Sequence, residues 1–468
     1  MSDGGDHLFR AVGGTEYSWC RAVPGGTGIT VLALLVSKQP DVAIVQNALR
    51  ALQTSHPILN TKLHFDPATK TFSFLSHPTP NLRIQPFDLQ STAEILQGAE
   101  NDAASPFQLI LEHELNKNSW RNLDDASYAD TDVFFASLYC LGETRWALML
   151  RLHTGACDRA AAAALVRGLV RELAAEGAAG GAERRIEGSG EGCLGIEELI
   201  PKGKGDKPFW ARGVDMLGYS LNSFRLSNAE FADATSPRLS RVVRLKLDLQ
   251  DTERLLEGCK SREIKLCGAL AAGGLIAARS SKNLPNNQKE KYGVVTLTDC
   301  RSILEPPLSS QHIGFYHSAI LNTHDIFGGE TLWELATRTY MAFANAKKSN
   351  KHFTDMSDLN FLMCKAIENP GLTPSSSLRT AFISVFEDSV IDQADEMHQD
   401  LCLEDYIGCA SVHGVGPSIA VFDTIRDGCL DSAFVYPSPL HSREQMQELI
   451  DHMKRVLVDG TANVENGS

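Results

Sequence analysis

Apolar positions along the 468-residue chain follow two spacings, one typical of short strands and one of amphipathic helices. In the N-terminal part, the aliphatic run ITVLALLVS at 29–37 predicts a strand, and apolar residues at helical spacing over 42–52 predict a helix that begins at Pro40. Two pairs of alternating runs predict hairpins, ILNTKLHF with TFSFLS and TDVFFASLYCL with RWALMLRLHT. This pattern indicates a mixed α/β structure.

The C-terminal part repeats this mixture of strands and amphipathic helices. Strands are predicted at SRVVRLKLD, YGVVTLT, FYHSAILN, LRTAFISVF, SIAVFDTI and DSAFVYP. Helices are predicted at DTERLLEGCKSRE and LCGALAAGGLIAARS. A third helix has an apolar face made of Leu332, Leu335, Ala336, Thr339 and Phe343. The last helix follows Ser442, for which Gln445 would complete a capping box, and its stripe is Met446, Leu449, Ile450, Met453 and Leu457.

A change of composition separates the two parts of the chain. Residues 177–207 are rich in Gly and Glu and then in Lys, which favours a boundary loop. We therefore predict an N-terminal domain over 1–200, a crossover linker over 201–215 and a C-terminal domain over 216–468. Because both parts mix strands with amphipathic helices, we expect two α/β domains that face one another.

Charge and motifs exclude several classes of function. A formal charge of −14 and a pI near 5.5 argue against nucleic-acid or anionic-membrane binding, which needs clustered Lys and Arg. No apolar run approaches the roughly 18 to 20 residues of a membrane helix, and the first residues do not resemble a signal peptide. Eleven cysteines without a C-x-x-C spacing suggest reduced thiols and a cytoplasmic protein. Metal and nucleotide motifs are absent, so we predict no metal and no bound cofactor.

One stretch, RLHTGACDR, carries a candidate catalytic group in a defined setting. The second strand of the second hairpin brings His153 to its C-terminal end, and a long Ala-rich helix follows, for which Gly177 is a predicted stop. Asp158 has the position of the N-cap of that helix. An imidazole suits general-base catalysis because its pKa is near neutrality.

The order of these features resembles the coenzyme-A-dependent acyltransferase superfamily. That superfamily includes plant acyltransferases of the BAHD type, fungal alcohol acetyltransferases and condensation domains of nonribosomal peptide synthetases. Four stretches carry the likeness, which extends over roughly residues 15–458 and is greatest to uncharacterised plant-type members. They are SHPILNTKL with its preceding helix, HTGACDRAAAAALVRGLVREL, LQDTERLLEGCKSREIKLCGALAAGGLIAAR and VVTLTDCRSILEPPLSSQHIGFYHSAIL.

The resemblance implies two chloramphenicol-acetyltransferase-like domains that form a pseudo-dimer with a central tunnel. It also implies acyl transfer from acyl-CoA, as co-substrate, to a hydroxyl or amine of a small-molecule acceptor. A His at the tunnel midpoint would act as general base in direct transfer. The sequence is compatible with a monomer but leaves open the oligomeric state, the acyl chain, the acceptor and whether the donor is coenzyme A or a carrier protein.

The family motif H-x-x-x-D, often followed by Gly, does not fit this chain in its usual register. From His153 to Asp158 the spacing is one residue too long, so Thr154 occupies the position of the base and Arg159 that of the Gly. Either a one-residue bulge returns His153 to the tunnel as base, or the site has lost its base and binds without turnover. Both alternatives stay open here, and Asp158 has a structural role in each.

Other residues could take part in the site that the resemblance implies. His317 and His413 fall in stretches placed near the tunnel and are candidates for substrate binding or for a substitute base. Cys157 could suggest a thiol nucleophile, although we expect it to serve packing. The turn HGVGPS at 413–418 is the nearest counterpart of the BAHD motif D-F-G-W-G. Lys202, Lys204 and Lys207 could contact coenzyme A phosphates or form a solvated charge run.

Overall fold

In a computed structural model of the protein, the described residues are 7–98, 104–121, 130–178, 194–208, 210–213, 226–282, 284–372, 377–392 and 402–462. They form two compact units. Unit 1 comprises the described parts of Met1–Leu199, Pro306–Tyr316 and Ala394–Ser411, and unit 2 those of Ile200–Glu305, His317–Gln393 and Val412–Ser468. Most of the Gly- and Glu-rich boundary stretch lies outside the described residues, as do 209, 214 and 215 of the predicted linker.

Regular secondary structure covers most of the described chain. The helices are α1 (Gly14–Ala22), α2 (Val42–Ser55), α3 (Leu89–Gln97), α4 (Pro106–Asn116), α5 (Arg159–Ala178), α6 (Leu249–Lys260), α7 (Leu266–Ser280), α8 (Leu332–Lys348), α9 (Lys351–Thr354), α10 (Met356–Glu368) and α11 (Arg443–Ala462). The strands are β1 (His7–Ala11), β2 (Thr27–Val36), β3 (Thr61–Asp66), β4 (Thr71–Ser76), β5 (Ile84–Phe87), β6 (Thr131–Asp132), β7 (Phe134–Cys140), β8 (Trp146–His153), β9 (Leu239–Lys246), β10 (Glu290–Asp299), β11 (His317–Ile326), β12 (Arg379–Phe386), β13 (Val390–Asp392), β14 (Leu403–Val412), β15 (Gly416–Arg426) and β16 (Cys429–Ser438).

These strands form three sheets. In unit 1, a five-stranded sheet has the order β14-β2-β8-β7-β5, and a four-stranded sheet has the order β1-β4-β3-β6. In unit 2, a seven-stranded sheet has the order β11-β10-β12-β15-β16-β9, with β13 paired to β15. Both hairpins predicted in the N-terminal part are formed, as β3 with β4 and β7 with β8, each antiparallel. The predicted α/β class is confirmed.

Local signals explain where several elements begin. Asp41 caps α2 by accepting the N–H of Ala43 at 2.8 Å, so this helix begins at Val42 and the predicted start at Pro40 was wrong by two residues. Before β3, residues 57–60 form a 3₁₀ turn and not the start of the predicted strand. A turn at Asp427 and Gly428, both with positive φ, joins β15 to β16.

Unit 1 has a core between its five-stranded sheet and its helices. β2 and β8 are buried over most of their length, which is why they are near-continuous apolar runs. Helix α5 packs against α2, and a Cβ atom at Gly168 of α5 would lie 3.0 Å from Cδ2 of Leu52 in α2. This arrangement fixes the C-terminal end of β8 and the start of α5, where the HTGACDR turn lies.

Unit 2 has its own core, in which α7 packs against α8 and α11. A Cβ atom at Gly268 would lie 2.9 Å from the carbonyl oxygen of Ala336, so this glycine permits the close approach of α7 and α8. All five residues of the predicted apolar face of α8 are buried, and so are all five of the predicted stripe of α11. Burial therefore confirms both helical patterns.

The predicted capping box of α11 is only half formed. Ser442 Oγ accepts the N–H of Gln445 at 3.1 Å, as a capping residue should. The amide of Gln445 donates instead to the carbonyl oxygen of Glu230 at 2.8 Å, so the reciprocal half of the prediction was wrong.

No helix among the described residues is long and apolar enough to cross a membrane.

Candidate functional site

The HTGACDR turn joins the end of β8 to the start of α5. β8 ends at His153, residues 154–156 form one 3₁₀ turn, and α5 begins at Arg159. His153, Thr154, Cys157 and Asp158 are all less than one-tenth exposed. The turn is therefore part of the interior of unit 1, held between a central strand and its longest helix.

His153 is fully buried and makes its contacts inside unit 1. Its Nδ1 atom accepts the backbone N–H of Gly155 at 3.0 Å. Its backbone N–H donates to the carbonyl oxygen of Val133 at 2.9 Å. The ring meets that of Trp120 edge to face, with centroids 5.3 Å apart. Trp120 is itself fully buried, so the imidazole lies in a closed aromatic environment.

Burial also changes the protonation of His153. Desolvation lowers the pKa of its imidazole from 6.5 to about 3, because the charged form loses its water. The neutral ring carries one proton, and since Nδ1 accepts from Gly155, that proton is assigned to Nε2. Among the described residues Nε2 has no hydrogen-bond partner. In this tautomer neither nitrogen has a free lone pair with which to accept a proton from a substrate.

Thr154 occupies the position of the base when the chain is aligned on Asp158. Its hydroxyl oxygen lies 2.8 Å from that of Thr30 on the adjacent strand β2. Both side chains are more than nine-tenths buried. A threonine hydroxyl is not a base at neutral pH, so this pair supplies hydrogen bonding and no proton acceptor of useful strength.

Asp158 connects three segments of unit 1. Its Oδ1 accepts the N–H of Ala161 at 2.8 Å, which makes it the N-cap of α5. Its Oδ2 accepts the N–H of Tyr316 at 2.7 Å, and its own N–H donates to Gly314 at 3.1 Å. The carboxylate therefore holds the segment 306–316 against the turn, a structural role of the kind expected for it.

The remaining candidate in the turn, Cys157, serves packing. Cys157 is fully buried, with its sulfur 3.7 Å from the carbonyl oxygen of Asp158. A buried thiol in such surroundings behaves as a small apolar residue and not as a nucleophile.

Among the described residues, no group of three or more His, Cys, Asp or Glu side chains could hold a metal ion.

The two histidines expected from the second part of the chain belong to unit 2. His317 begins β11, is 5% exposed, and meets the ring of Phe386 edge to face at 5.8 Å. His413 lies between β14 and β15, with its Nδ1 3.0 Å from the hydroxyl of Ser240. The structure thus places His153, Thr154 and Asp158 in one turn of unit 1, whereas His317 and His413 belong to unit 2.

The HGVGPS turn has a support that the sequence did not indicate. Arg379, 2% exposed, donates to the carbonyl oxygens of Ser377 and Val412, each at 3.0 Å, and to those of Gly414 and Pro417. Burial lowers the pKa of this guanidinium, and nearby Arg238 adds to that effect. A single buried Arg in a strand-forming run gives no pattern from which this role could be predicted.

Lys207 is not part of a solvated charge run. Its Nζ atom lies 2.7 Å from a carboxylate oxygen of Asp355 and 2.8 Å from one of Asp358, and its side chain is only 6% exposed. Lys202 and Lys204 are exposed. The interpretation as a solvated charge run is therefore wrong for Lys207, because its ammonium group pairs with two buried carboxylates.

Comparison with known proteins addresses the fold. No protein-family model and no curated protein matches the sequence. Among solved structures, the chain is similar to the first condensation domain of the calcium-dependent antibiotic synthetase in complex with a substrate analogue. The TM-score is 0.63 at 14% identity, over 98% of this chain and 97% of that one.

Two further structures extend the likeness. Trichothecene 15-O-acetyltransferase from Fusarium sporotrichioides has a TM-score of 0.67 at 11% identity, covering 96% of this chain and 94% of that one. The X-domain from teicoplanin biosynthesis, solved in complex with OxyB, has a TM-score of 0.58 at 17% identity, covering 99% and 95%. The fold is that of condensation domains and acyltransferases. At these identities the likeness establishes the fold alone.

Proposed function

We propose that the chain is an acyltransferase-like protein that binds an acyl compound at the HTGACDR turn, without general-base catalysis by His153. The single observation that carries this proposal is the environment of the imidazole. Its Nδ1 accepts from the turn, its Nε2 is buried, and burial lowers its pKa to about 3. A general base needs a nitrogen within reach of the acceptor's proton and a pKa near the working pH.

The register of the motif supports the same conclusion. With Asp158 as reference, Thr154 stands where the resemblance places the base, and it pairs with Thr30. Asp158 keeps the contacts of a structural carboxylate on both sides of the turn. The site has therefore kept the parts that shape it, while the group that would remove a proton is absent from its position.

The similar structures support the class of ligand that we propose. The similar structures include an acetyltransferase and a condensation domain with a substrate analogue, so an acyl thioester or its acceptor is the class of ligand that we propose. We propose acyl-CoA as the donor to test first, with a hydroxyl or amine compound as acceptor and no bound cofactor. A carrier protein is the other source of the same thioester. The X-domain in complex with OxyB is an example of this fold bound to a protein.

Acyl transfer from acyl-CoA to a hydroxyl or amine is the second candidate function. The likeness to an O-acetyltransferase favours it, and it requires a base other than His153 in the position described above. His317 and His413 are the proposed substitutes, also as substrate-binding residues. The pseudo-dimer with a central tunnel and the plant-type relationship are implied by the resemblance and remain predictions. The cytoplasmic location suggested by the cysteine pattern also remains a prediction.

The test is thiol release from a panel of acyl-CoAs with mixed alcohols and amines, combined with calorimetric binding of the same acyl-CoAs. We expect binding and no release above the enzyme-free blank. His153→Gln tests the base directly, with His64→Gln as a matched control at a half-exposed histidine of unit 1. Release in the wild type that His153→Gln abolishes, with the fold intact by circular dichroism, would contradict the proposal.

Two more variants separate the candidates. Release that survives His153→Gln and is lost in His317→Gln or His413→Gln would establish the second candidate. Thr154→His restores the H-x-x-x-D spacing, with three residues between a histidine and Asp158. Release that appears only in this variant would show that the binding elements are complete and that the base alone is missing.

A further inference from the structure

The hydroxyl groups of Thr30 and Thr154 form one hydrogen bond with each other, which leaves one of the two O–H donors unused. Their oxygens are 2.8 Å apart, and the two side chains are 6% and 7% exposed. In such a pair one O–H donates to the other oxygen, and the second O–H needs another acceptor. No other hydrogen bond of either hydroxyl is found among the described residues. A buried donor left in this way has a cost that a bound acceptor would remove.

An aromatic side chain lies beside the spare donor. Gly28 has φ +94°, and a Cβ atom there would lie 2.9 Å from Cε3 of Trp19 and 3.2 Å from Oγ1 of Thr154. The indole and the hydroxyl therefore approach the same point above Gly28. Trp19 is partly exposed and packs against the buried ring of Phe315, with centroids 5.6 Å apart. The position of Gly28 permits this close approach, because any side chain would collide with Trp19.

The chemistry of this group selects a kind of ligand. A neutral hydroxyl donor suits a carbonyl oxygen, and an indole face suits an apolar chain attached to it. The imidazole of the preceding residue, His153, is neutral and uses Nδ1 within the turn. All of these residues belong to unit 1.

We infer that the Thr30–Thr154 pair donates one hydrogen bond to the carbonyl oxygen of a bound acyl group, whose chain packs against Trp19. This inference rests on the proposed function and adds to it the atoms that recognise the ligand. The pair thus acts as a recognition element at the position where the resemblance places a base.

The experiment compares two probes that differ in one carbonyl group. Hexanoyl-CoA is a thioester, and hexyl-CoA is the thioether without the carbonyl oxygen. We expect wild type to bind hexanoyl-CoA about fivefold more tightly in calorimetry, the effect of one neutral hydrogen bond. Thr154→Val should reduce this preference to about one, and Thr154→Ser should retain it. Thr92→Val, at another buried threonine of unit 1, is the matched control and should leave the preference unchanged.

Each result has a definite meaning. Equal binding of both probes by wild type, or a preference that persists in Thr154→Val, overturns the inference while the proposed acyl binding stands. Failure of both probes to bind, also as their N-acetylcysteamine derivatives, overturns the inference and the proposed function together. Because Thr154→Ser keeps the hydroxyl, a preference lost in that variant as well would also count against the inference. Thr30→Val provides a second variant should Thr154→Val fold poorly, with the same expected loss of preference.

Discussion

His153 and Gly155 are linked by a hydrogen bond of 3.0 Å from the backbone N–H of Gly155 to Nδ1 of His153. The imidazole thereby closes the 3₁₀ turn that carries Thr154, while its edge-to-face contact with Trp120 holds it in the core of unit 1. The histidine is used in building the turn. The ring is thus held by contacts within unit 1.

Acid should destabilise the protein partly through His153. Burial lowers its pKa to about 3 in the folded state, whereas the unfolded chain has a value near 6.5. Below pH 6.5 the unfolded state binds a proton that the folded state does not, so the free energy of unfolding falls as pH falls towards 3. Above pH 6.5 this contribution is zero. The slope from one such group approaches about 1.4 kcal/mol per pH unit.

The measurement is urea unfolding at pH 7.5 and pH 5.0 in wild type and His153→Gln. We expect the loss of stability between these values to be smaller in the variant by about 1 to 2 kcal/mol. His324, His352 and His441, whose pKa values burial also lowers to about 4, contribute in the same direction to both proteins. An unchanged pH dependence in His153→Gln would show that the ring titrates normally.

Asp158 should stabilise unit 1 much more than an ordinary helix cap does. It accepts the N–H groups of Ala161 and Tyr316 while 3% exposed. Asp158→Asn replaces one acceptor oxygen with an NH₂ group that faces an N–H donor, and we expect a loss of about 2 to 4 kcal/mol. Denaturant unfolding measures this loss, and hydrogen exchange should be faster at the amide of Tyr316.

The control for Asp158 is another N-cap of unit 1. Asp88 caps α3 by accepting the N–H of Ser91 at 2.8 Å, in an exposed position. Because Asn caps a helix about as well as Asp, Asp88→Asn should change stability by less than about 0.5 kcal/mol. Similar losses in the two variants would mean that the bond to Tyr316 contributes little.

Most helices and strands could be predicted from the sequence because the apolar residues of a buried face repeat at the spacing of a helix or a strand. The five apolar positions of α8 repeat at helical spacing and are all buried, and β2 is a continuous apolar run because most of its length is interior. Asp158 as N-cap was predicted from the polar residue before an Ala-rich run, and the structure confirms it.

Local sequence patterns could not predict long-range pairing. Strand β14 pairs with β2 in the sheet of unit 1, and the carboxylate of Asp158 accepts the N–H of Tyr316. In each pair the two partners are more than 100 residues apart in the sequence. Local periodicity contains no information about such partners. The same limit applies to the site, because the orientation of His153 depends on Trp120 and Gly155, which the motif spacing does not describe.

Lys207 should be essential for the stability of unit 2, unlike the two lysines before it. Lys207→Met leaves the carboxylates of Asp355 and Asp358 buried without their main cation, and we expect a loss of about 3 kcal/mol or more in denaturant unfolding. Lys202→Met, at an exposed position of the same run, should stay within about 0.5 kcal/mol of wild type. Adding Asp358→Asn to Lys207→Met should recover part of the loss, since one unpaired charge is then removed. Equal losses of stability in the Lys202 and Lys207 variants would contradict this prediction. They would show that Lys207 behaves as a solvated lysine, as the sequence suggested.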